Sequence, residues 1–240
     1  MSILVEVFKD LLLRRYKHVP THNAEMLDKP QENCVLNVGG GSKATAIPKY
    51  YADWRHDLLD IDPRGEPDIV CDARYLNTLE RGQYDAIYCS HNLEHYYRHD
   101  GLKVIQGFVH ILNQTGFAEV RVPDIDQVIR ALTERQMDLD DILYNSAAGP
   151  ISAHDVIYGL QTEIIASGQD FYAHKTGFTP DSLTGLLLKG GFSNVYLIND
   201  EHLAVHAFAF KTEPTDDQIK LLNLGLLFAP NTPHIAETGF

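Results

Sequence analysis

From Cys34 onward the chain alternates short apolar runs with segments whose apolar residues recur at helical spacing, the pattern of a parallel sheet with helices on its faces. The apolar runs predict strands over 34–38, 55–61, 68–71, 84–90 and 117–122. Between the last two, Leu102, Ile105, Phe108, Val109 and Leu112 keep a helical period that Gly116 closes, giving a strand, crossover helix, strand unit. The segments FSNVYLIND and HLAVHAFAFK, divided by Asp200 and Glu201, predict a hairpin at about 192–210 that ends the sheet with antiparallel strands. The expected fold class is α/β, a mixed seven-stranded sheet with helices on both faces and an antiparallel C-terminal hairpin.

Between Pro123 and Phe178 the pattern turns helical, with helices expected over Ile125–Met137, Leu139–Ala147 and Ala153–Ser167 and a break at Gly149-Pro150. An excursion of this length at the carboxyl edge of a parallel sheet stands where a ligand crevice opens, so residues 124–178 form the expected lid. The expected organisation is an N-terminal helix and linker over 1–33, a main domain over 34–211 that contains the insertion, and a helix and tail over 212–240. In the first segment Ile3, Leu4, Val7, Phe8, Leu11 and Leu12 share a helical face. Glu6, Lys9 and Asp10 interrupt its apolar character, and a docked amphipathic helix suits it better than a signal peptide or membrane anchor. The helix expected from Asp216 to Leu227 is apolar enough to dock, either on the core or across a homodimer.

The 240 residues, 44% hydrophobic, suffice for one sizeable α/β core with additions. A net charge of −13 works against a nucleic-acid groove, which needs concentrated Lys and Arg, and favours a small-molecule partner. Cys34, Cys71 and Cys89 each sit in a strand-like segment, which reads as buried thiols in a reducing cytoplasm rather than disulfides or zinc ligands. No apolar stretch approaches the roughly 20 residues that span a bilayer.

The first strand ends in Gly39, Gly40 and Gly41. Glycines there let the backbone turn with positive φ and bring bare N–H groups against a ligand. About twenty residues on, Asp60 and Asp62 stand where the second strand ends, the place from which a carboxylate accepts ribose hydroxyls. The pair of features indicates an adenosine-containing ligand. Gly39-x-Gly41-x-x-Ala44 also satisfies the permissive dinucleotide pattern, so a nicotinamide-dependent (NAD(P)) oxidoreductase is a competing expectation. No tyrosine has a lysine four residues later, which counts against the short-chain dehydrogenase subtype.

The same residues resemble the class I S-adenosylmethionine-dependent methyltransferases, in particular their type 11-like small-molecule group. VLNVGGGS at Val35 to Ser42 looks like the first motif of that family, LDID at Leu59 to Asp62 like its second-strand end, and PDIVCDA at Pro67 to Ala73 like its third-strand motif. YDAIYCSHNLEHY at Tyr84 to Tyr96 resembles the fourth-strand motif with its Leu-Glu-His, VRVPDI from Val120 the fifth strand, and HKTGFTPDSLTGLLLKGGF from His174 the helix before the sixth. The resemblance spans about residues 33–210 and implies a Rossmann-like fold and S-adenosyl-L-methionine as cofactor. Carried over by position, it implies that Gly39, Gly40 and Gly41 approach the methionine and ribose, that Asp60 (or Asp62, in the other register) binds ribose, and that Asp72 and the Ala73 N–H meet adenine. Ser90, His91 and Asn92 would lie beside the transferred methyl. Departures are Asn37 where the family carries an acid, Pro48 interrupting the helix after the glycines, and Thr115-Gly116 before the fifth strand.

The implied reaction is an in-line displacement in which an O or N atom of a small-molecule acceptor attacks a sulfonium methyl. A hydroxyl acceptor requires a base, and the expected candidates are His91, His95, His154 and His174, with Asp124 at the end of the fifth strand as a carboxylate alternative. His95 is expected to be structural. A metal site built from His91, Glu94, His95 and His99 is not expected, because His91 should lie in a loop while the others begin a helix. A methyltransferase-like binding protein without turnover is the remaining expectation, motivated by Asn37 and the unusual first loop.

Overall fold

The computed structural model describes residues 32–146, 149–198 and 203–226. The expected N-terminal helix, and the end of the chain after residue 226, lie outside the described residues. Nine strands are described: β1 (Cys34–Val38), β2 (Arg55–Asp60), β3 (Ile69–Val70), β4 (Tyr84–Ser90), β5 (Leu112–Pro123), β6 (Ile142–Ser146), β7 (Gly149–Ser152), β8 (Asn194–Ile198) and β9 (Ala204–Phe210). The α-helices are α1 (Arg98–Ile111), α2 (Ile125–Arg135), α3 (Ala153–Tyr158), α4 (Gln161–Ser167), α5 (Pro180–Gly190) and α6 (Asp216–Leu221).

The main sheet has seven strands in the order β3-β2-β1-β4-β5-β9-β8. β1 to β5 run parallel, while β9 pairs antiparallel with both β5 and β8. The order reverses between β1 and β4, so a crevice opens at their carboxyl ends, where Gly39 follows β1 and His91 follows β4.

The central strands β1, β4, β5 and β9 are buried on both faces, and the two faces are covered differently. On one, Val104, Ile105, Phe108 and Ile111 of α1 and Leu183 and Leu187 of α5 pack with Leu36, Ile87, Ala118 and Val120 in the larger core. Capping fixes the helix start: the Thr179 side chain accepts the Ser182 N–H ahead of α5, and Pro180 occupies the first turn.

On the other face no helix follows β1. Pro48 has the extended backbone of a helix boundary, and only a single 3-10 turn, Lys49–Tyr51, comes after it. That turn fills its place with aromatic rings, as Tyr51, Trp54, Tyr88, Phe117, Phe208 and Phe210 form one cluster with Leu222 and Leu224 near α6. The anchor is Glu119 of β5, which is 1% exposed. Its Oε2 accepts the hydroxyls of Tyr50 at 2.6 Å and Tyr51 at 3.1 Å, and its Oε1 the His206 Nε2 at 2.9 Å.

The region from Asp124 to Phe178 leaves and rejoins the sheet at one point: Asp124 and Phe178 form a parallel bridge, and the Ile125 N–H donates to the Phe178 carbonyl at 2.9 Å. Its interior differs from the helical expectation in two places. Residues 142–146 form the strand β6 instead of part of a helix, paired antiparallel with β7. Leu143 points into a small core with Val128, Ala131, Ile151 and Val156, while Ile142 and Tyr144 face out, an alternation with period two that a short apolar run does not distinguish from a helix. The helix expected over 153–167 is broken into α3 and α4 at Gly159, whose φ of +99° belongs to glycine. The C-terminal helix likewise ends at Leu221 and continues only as the 3-10 turn Leu224–Leu226.

Replacing Glu119 by Ala leaves two phenol hydroxyls facing an apolar core without their acceptor, and is expected to lower the unfolding free energy by about 3 kcal/mol. Glu119→Gln, which keeps an acceptor of the same shape, is expected to cost less. Urea denaturation of the two variants measures the difference.

Candidate functional site

β1 and β2 are in register from Cys34 opposite Arg55 to Val38 opposite Leu59, so both end at the same level. There the Gly39 N–H donates to the Leu59 carbonyl at 2.8 Å. Asp60, 8% exposed, accepts the Gly41 N–H on Oδ2 and the Asp62 N–H on Oδ1, both at 2.8 Å. Gly39 and Gly41 have φ of +74° and +69°. A Cβ on Gly39 would overlap the Asn92 side chain, and one on Gly65 would stand 1.6 Å from the Gly41 carbonyl oxygen. The glycine loop is therefore clamped by a carboxylate and flanked by two neighbours that leave no room for side chains.

The loop borders a cavity of about 480 Å³, within the range of small-molecule and cofactor sites. One wall holds Gly39, Gly41, Asp60, Ile61, Asp72 and Arg74. The other holds His91, Asn92, His95, Tyr96 and Tyr97 from the segment after β4 and Asp170, Phe171, Tyr172 and Lys175 from the insertion. The insertion thus contributes a wall of the cavity through a short turn rather than through its helices.

The expected cofactor residues divide. Gly39, Gly41, Asp60, Asp72, His91 and Asn92 line the cavity, whereas Gly40, Asp62, Ala73 and Ser90 do not. A Cβ on Gly40 would meet the buried Asn37 side chain, so this glycine serves packing. Asp62 is occupied elsewhere. It caps the 3-10 turn Pro63–Gly65, binds the Arg64 Nε at 2.8 Å and accepts the Tyr172 hydroxyl at 2.7 Å, while Arg64 Nη2 donates to the same tyrosine oxygen at 2.9 Å. The Arg64 guanidinium holds the Asp62 carboxyl well below the usual carboxylate range. This trio latches the insertion to the end of β2. Asp72 carries its own counterion, with Arg74 Nε and Nη2 donating to Oδ2 at 2.9 and 2.6 Å.

Of the expected bases, His91 and His95 line the cavity, whereas His154, His174 and Asp124 do not. Asp124, 3% exposed, is the N-cap of α2: its Oδ1 accepts the Asp126 and Gln127 N–H groups and its Oδ2 the Gln127 side chain. A carboxylate so engaged holds a helix. His154 packs on Tyr158 and stands 3.7 Å from Asp140 in the insertion, outside the cavity lining. His91 has φ +51°, a left-handed conformation rare for a side chain of this size, and its N–H donates to the Arg121 carbonyl at 2.9 Å.

Behind the His91 wall lies Glu94, 1% exposed, on the 3-10 turn Leu93–His95. Neither of its carboxylate oxygens accepts a hydrogen bond from a described residue. His91 Nδ1 is 3.4 Å and His174 Nε2 4.0 Å from Oε1. Burial pushes the Glu94 carboxyl up, and the surrounding His91, His95 and His174 more than reverse it, leaving it below its ordinary value. The expectation of a helix at 93–95 was the ground for separating His91 from this group; the tight turn removes that separation.

Sequence reasoning did not single out Ile61, Gly65, Arg74, Tyr172 or Lys175. The Pro63-Arg64-Gly65 sequence marks a turn, but nothing in it shows that Gly65 abuts the glycine loop.

No protein-family profile matches the sequence, and no curated protein matches it. The PH0226 protein from Pyrococcus horikoshii has a similar structure, with a TM-score of 0.52 at 11% identity over 87% of this chain and 89% of that one. A SAM dependent methyltransferase from Archaeoglobus fulgidus aligns with a TM-score of 0.47 at 13% identity, over 88% of this chain and 95% of that one. Against a structure described as a possible exported protein from Bordetella parapertussis the TM-score is 0.46 at 15% identity, and this chain, 77% of it aligned, spans only 63% of that chain's length. At these identities the likeness is one of fold alone, a seven-stranded Rossmann-like sheet.

Gly65→Ala is expected to displace the glycine loop and cost about 1–3 kcal/mol of stability through overpacking. Gly41→Ala, with open space at its Cβ, is expected to cost about 1–2 kcal/mol through backbone strain alone. Thermal denaturation reads the cost of each, and the larger loss of melting temperature is expected for Gly65→Ala.

Proposed function

We propose that the chain is an S-adenosyl-L-methionine-dependent methyltransferase acting on an O or N atom of a small molecule. The observation that carries the reading is the division of the cavity at the sheet's carboxyl edge: a glycine loop clamped by Asp60 on one wall, a histidine-bearing loop on the other, both at the carboxyl ends of strands next to the topological switch point.

The adenosine part belongs on the Asp60 side. Each Asp60 oxygen spends one lone pair on a backbone N–H and retains another, so the carboxylate can accept two ribose hydroxyls without releasing the loop. Ile61 presents a half-exposed apolar surface to a flat base beside Asp72. Asp72 meets the adenine amino group as an acceptor whose charge Arg74 has already balanced. The methionine end then runs past Gly39 and Gly41 toward Asn92, and the methyl group faces His91.

An acceptor enters between Tyr97, Phe171 and Tyr172, with Lys175 anchored to the Asp170 carbonyl at 3.0 Å above the Tyr97 ring. His91, half-exposed and next to the Glu94 carboxylate, takes the proton of the acceptor.

Adenosylhomocysteine is expected to bind and to raise the melting temperature, and NADH is expected to do neither. Asp60→Ala removes both the ribose acceptor and the loop clamp and should weaken adenosylhomocysteine binding by about 2–3 kcal/mol, read by calorimetry. Binding of NADH in place of adenosylhomocysteine would assign the cavity to a dehydrogenase.

His91→Asn is expected to leave adenosylhomocysteine affinity intact and, in an acceptor screen, to lower turnover by about two to four orders of magnitude. Tight cofactor binding with no turnover on any acceptor would identify a binding protein.

A further inference from the structure

Three side chains behind the cavity wall form a group that base catalysis does not explain. Glu94, His95 and His174 come from two segments eighty residues apart, and their donor atoms all lie within 4.8 Å of one another. The two histidines are set up alike. His95 Nδ1 is 3.2 Å from the Ala173 carbonyl and His174 Nδ1 is 2.9 Å from the Val156 carbonyl. A carbonyl can only accept, so each Nδ1 carries a proton, and in the neutral ring each Nε2 then has a free lone pair. A backbone carbonyl on the remote nitrogen is the support that orients metal-binding imidazoles. The backbone is pinned as well, since the Glu94 carbonyl accepts the N–H groups of Lys175 at 2.8 Å and Thr176 at 3.1 Å.

Glu94 supplies an independent observation. A buried carboxylate ordinarily has hydrogen bonds or a counterion, yet neither oxygen here accepts a hydrogen bond from a described residue. Lysine and arginine are absent from the group. The nearest donor to Glu94 is His91 Nδ1, 3.4 Å from Oε1, and a cation between Glu94 Oε1, His95 Nε2 and His174 Nε2 would give the carboxylate a counterion.

We propose that Glu94, His95 and His174 bind a zinc-class divalent ion as a two-histidine, one-carboxylate site whose open coordination side faces the cavity. Two nitrogens and one carboxylate oxygen suit zinc and its neighbours, and three protein ligands leave room for water or substrate. Donor atoms of a tetrahedral site with bonds of about 2.1 Å stand roughly 3.4 Å apart, so small side-chain rotations close the group on an ion. The site adjoins the glycine loop, because Asn92, whose side chain fills the space beside Gly39, lies between His91 and Glu94.

The consequence for chemistry rests on the methyltransferase reading. An ion there would bind an acceptor hydroxyl and lower its pKa, so the acceptor class narrows to hydroxyl compounds. The hydroxyl proton passes to His91 and on to water. The oxygen lone pair forms the new O–C bond as the methyl C–S bond breaks, and the electron pair of that bond stays on sulfur, giving the neutral thioether.

The test is metal binding by the full chain after chelation and removal of the chelator, with zinc(II) in calorimetry and cobalt(II) in visible absorption. One equivalent of zinc should bind, and cobalt should give the intense absorption of a four- or five-coordinate site. His174→Ala and Glu94→Gln should each weaken zinc binding at least ~10-fold, the lower end of what loss of a mere supporting group costs. His99→Ala, an exposed neighbour outside the group, should not change it. Wild-type protein that binds no stoichiometric zinc, or cobalt showing only the weak absorption of an octahedral aquo ion, overturns the site whatever the variants do. Zinc binding unchanged in both variants overturns it too. Adenosylhomocysteine titrated into the same samples separates the two claims: cofactor binding without zinc removes the metal site alone, and zinc binding without the cofactor removes the methyltransferase reading alone.

Discussion

The Asp60 carboxylate is the contact on which the cavity depends. It sits at the last position of β2, nearly buried, and receives one N–H from the glycine loop and one from its own chain two residues on. Strand pairing carries β1 and β2 to the same height but does not determine the path of the chain beyond them; the carboxylate does. With Gly41 held there, Gly65 must lack a side chain, because a Cβ on it would stand 1.6 Å from the Gly41 carbonyl oxygen. With Gly39 held there, the Asn92 side chain fills the adjacent space, and the positions of His91 and Glu94 relative to the loop follow from the short chain that joins them. A local charge-assisted hydrogen bond thereby determines the spacing between two segments fifty residues apart.

The opposite face shows how a missing helix is replaced. Pro48 denies the chain a helix after the glycines, and a sheet face left bare would expose Val35, Tyr88 and Phe117. A turn of three residues brings two tyrosines and, just beyond, a tryptophan to cover it. Their bulk supplies apolar area, and Tyr50 and Tyr51 bring hydroxyls that need an acceptor. Glu119 meets that need from the middle of β5 and is satisfied in return by His206 on the neighbouring strand. A buried acid on a central strand is costly when isolated; here its ligands are also what dock the turn.

Strands β1 and β4 were legible in the sequence to the residue, because buried parallel strands are short apolar runs bounded by glycine or polar residues. The antiparallel end was legible as well. β6 was not: Ile142-Leu143-Tyr144 is too short for its period to be decided, and the small core that selects the strand is assembled from four separate elements. In the site, Asp60 and the outer glycines were readable because strand ends have fixed places in this kind of sheet. Asp124 and His154 looked equally placed, but a helix start claimed one and the insertion turned the other away. The approach of His174 to Glu94 had no local signal, since it depends on where the insertion returns to the sheet.

On the proposed reading, the way the carboxylates are neutralised has a mechanistic sense. A sulfonium loses its positive charge as the methyl departs, so a free carboxylate close to sulfur would stabilise the reactant more than the transition state and slow the transfer. Asp60 shares its charge with two backbone N–H groups, and Asp72 and Asp62 are each paired with an arginine. Asp60 and Asp72 can therefore recognise ribose and adenine while presenting little net negative charge toward sulfur, and Asp62 is spent in the latch. Asp100 and Asp170, which also line the cavity, are paired with Arg74 and Lys103 and with Lys175, and the groups placed at the reacting end are an imidazole and aromatic rings, whose attraction for a cation is weaker and is lost at smaller cost as the charge disappears. Recognition and reaction thus occupy separate walls, and the latch of Asp62, Arg64 and Tyr172 ties the insertion that bears half of the second wall to the strand end that bears the first.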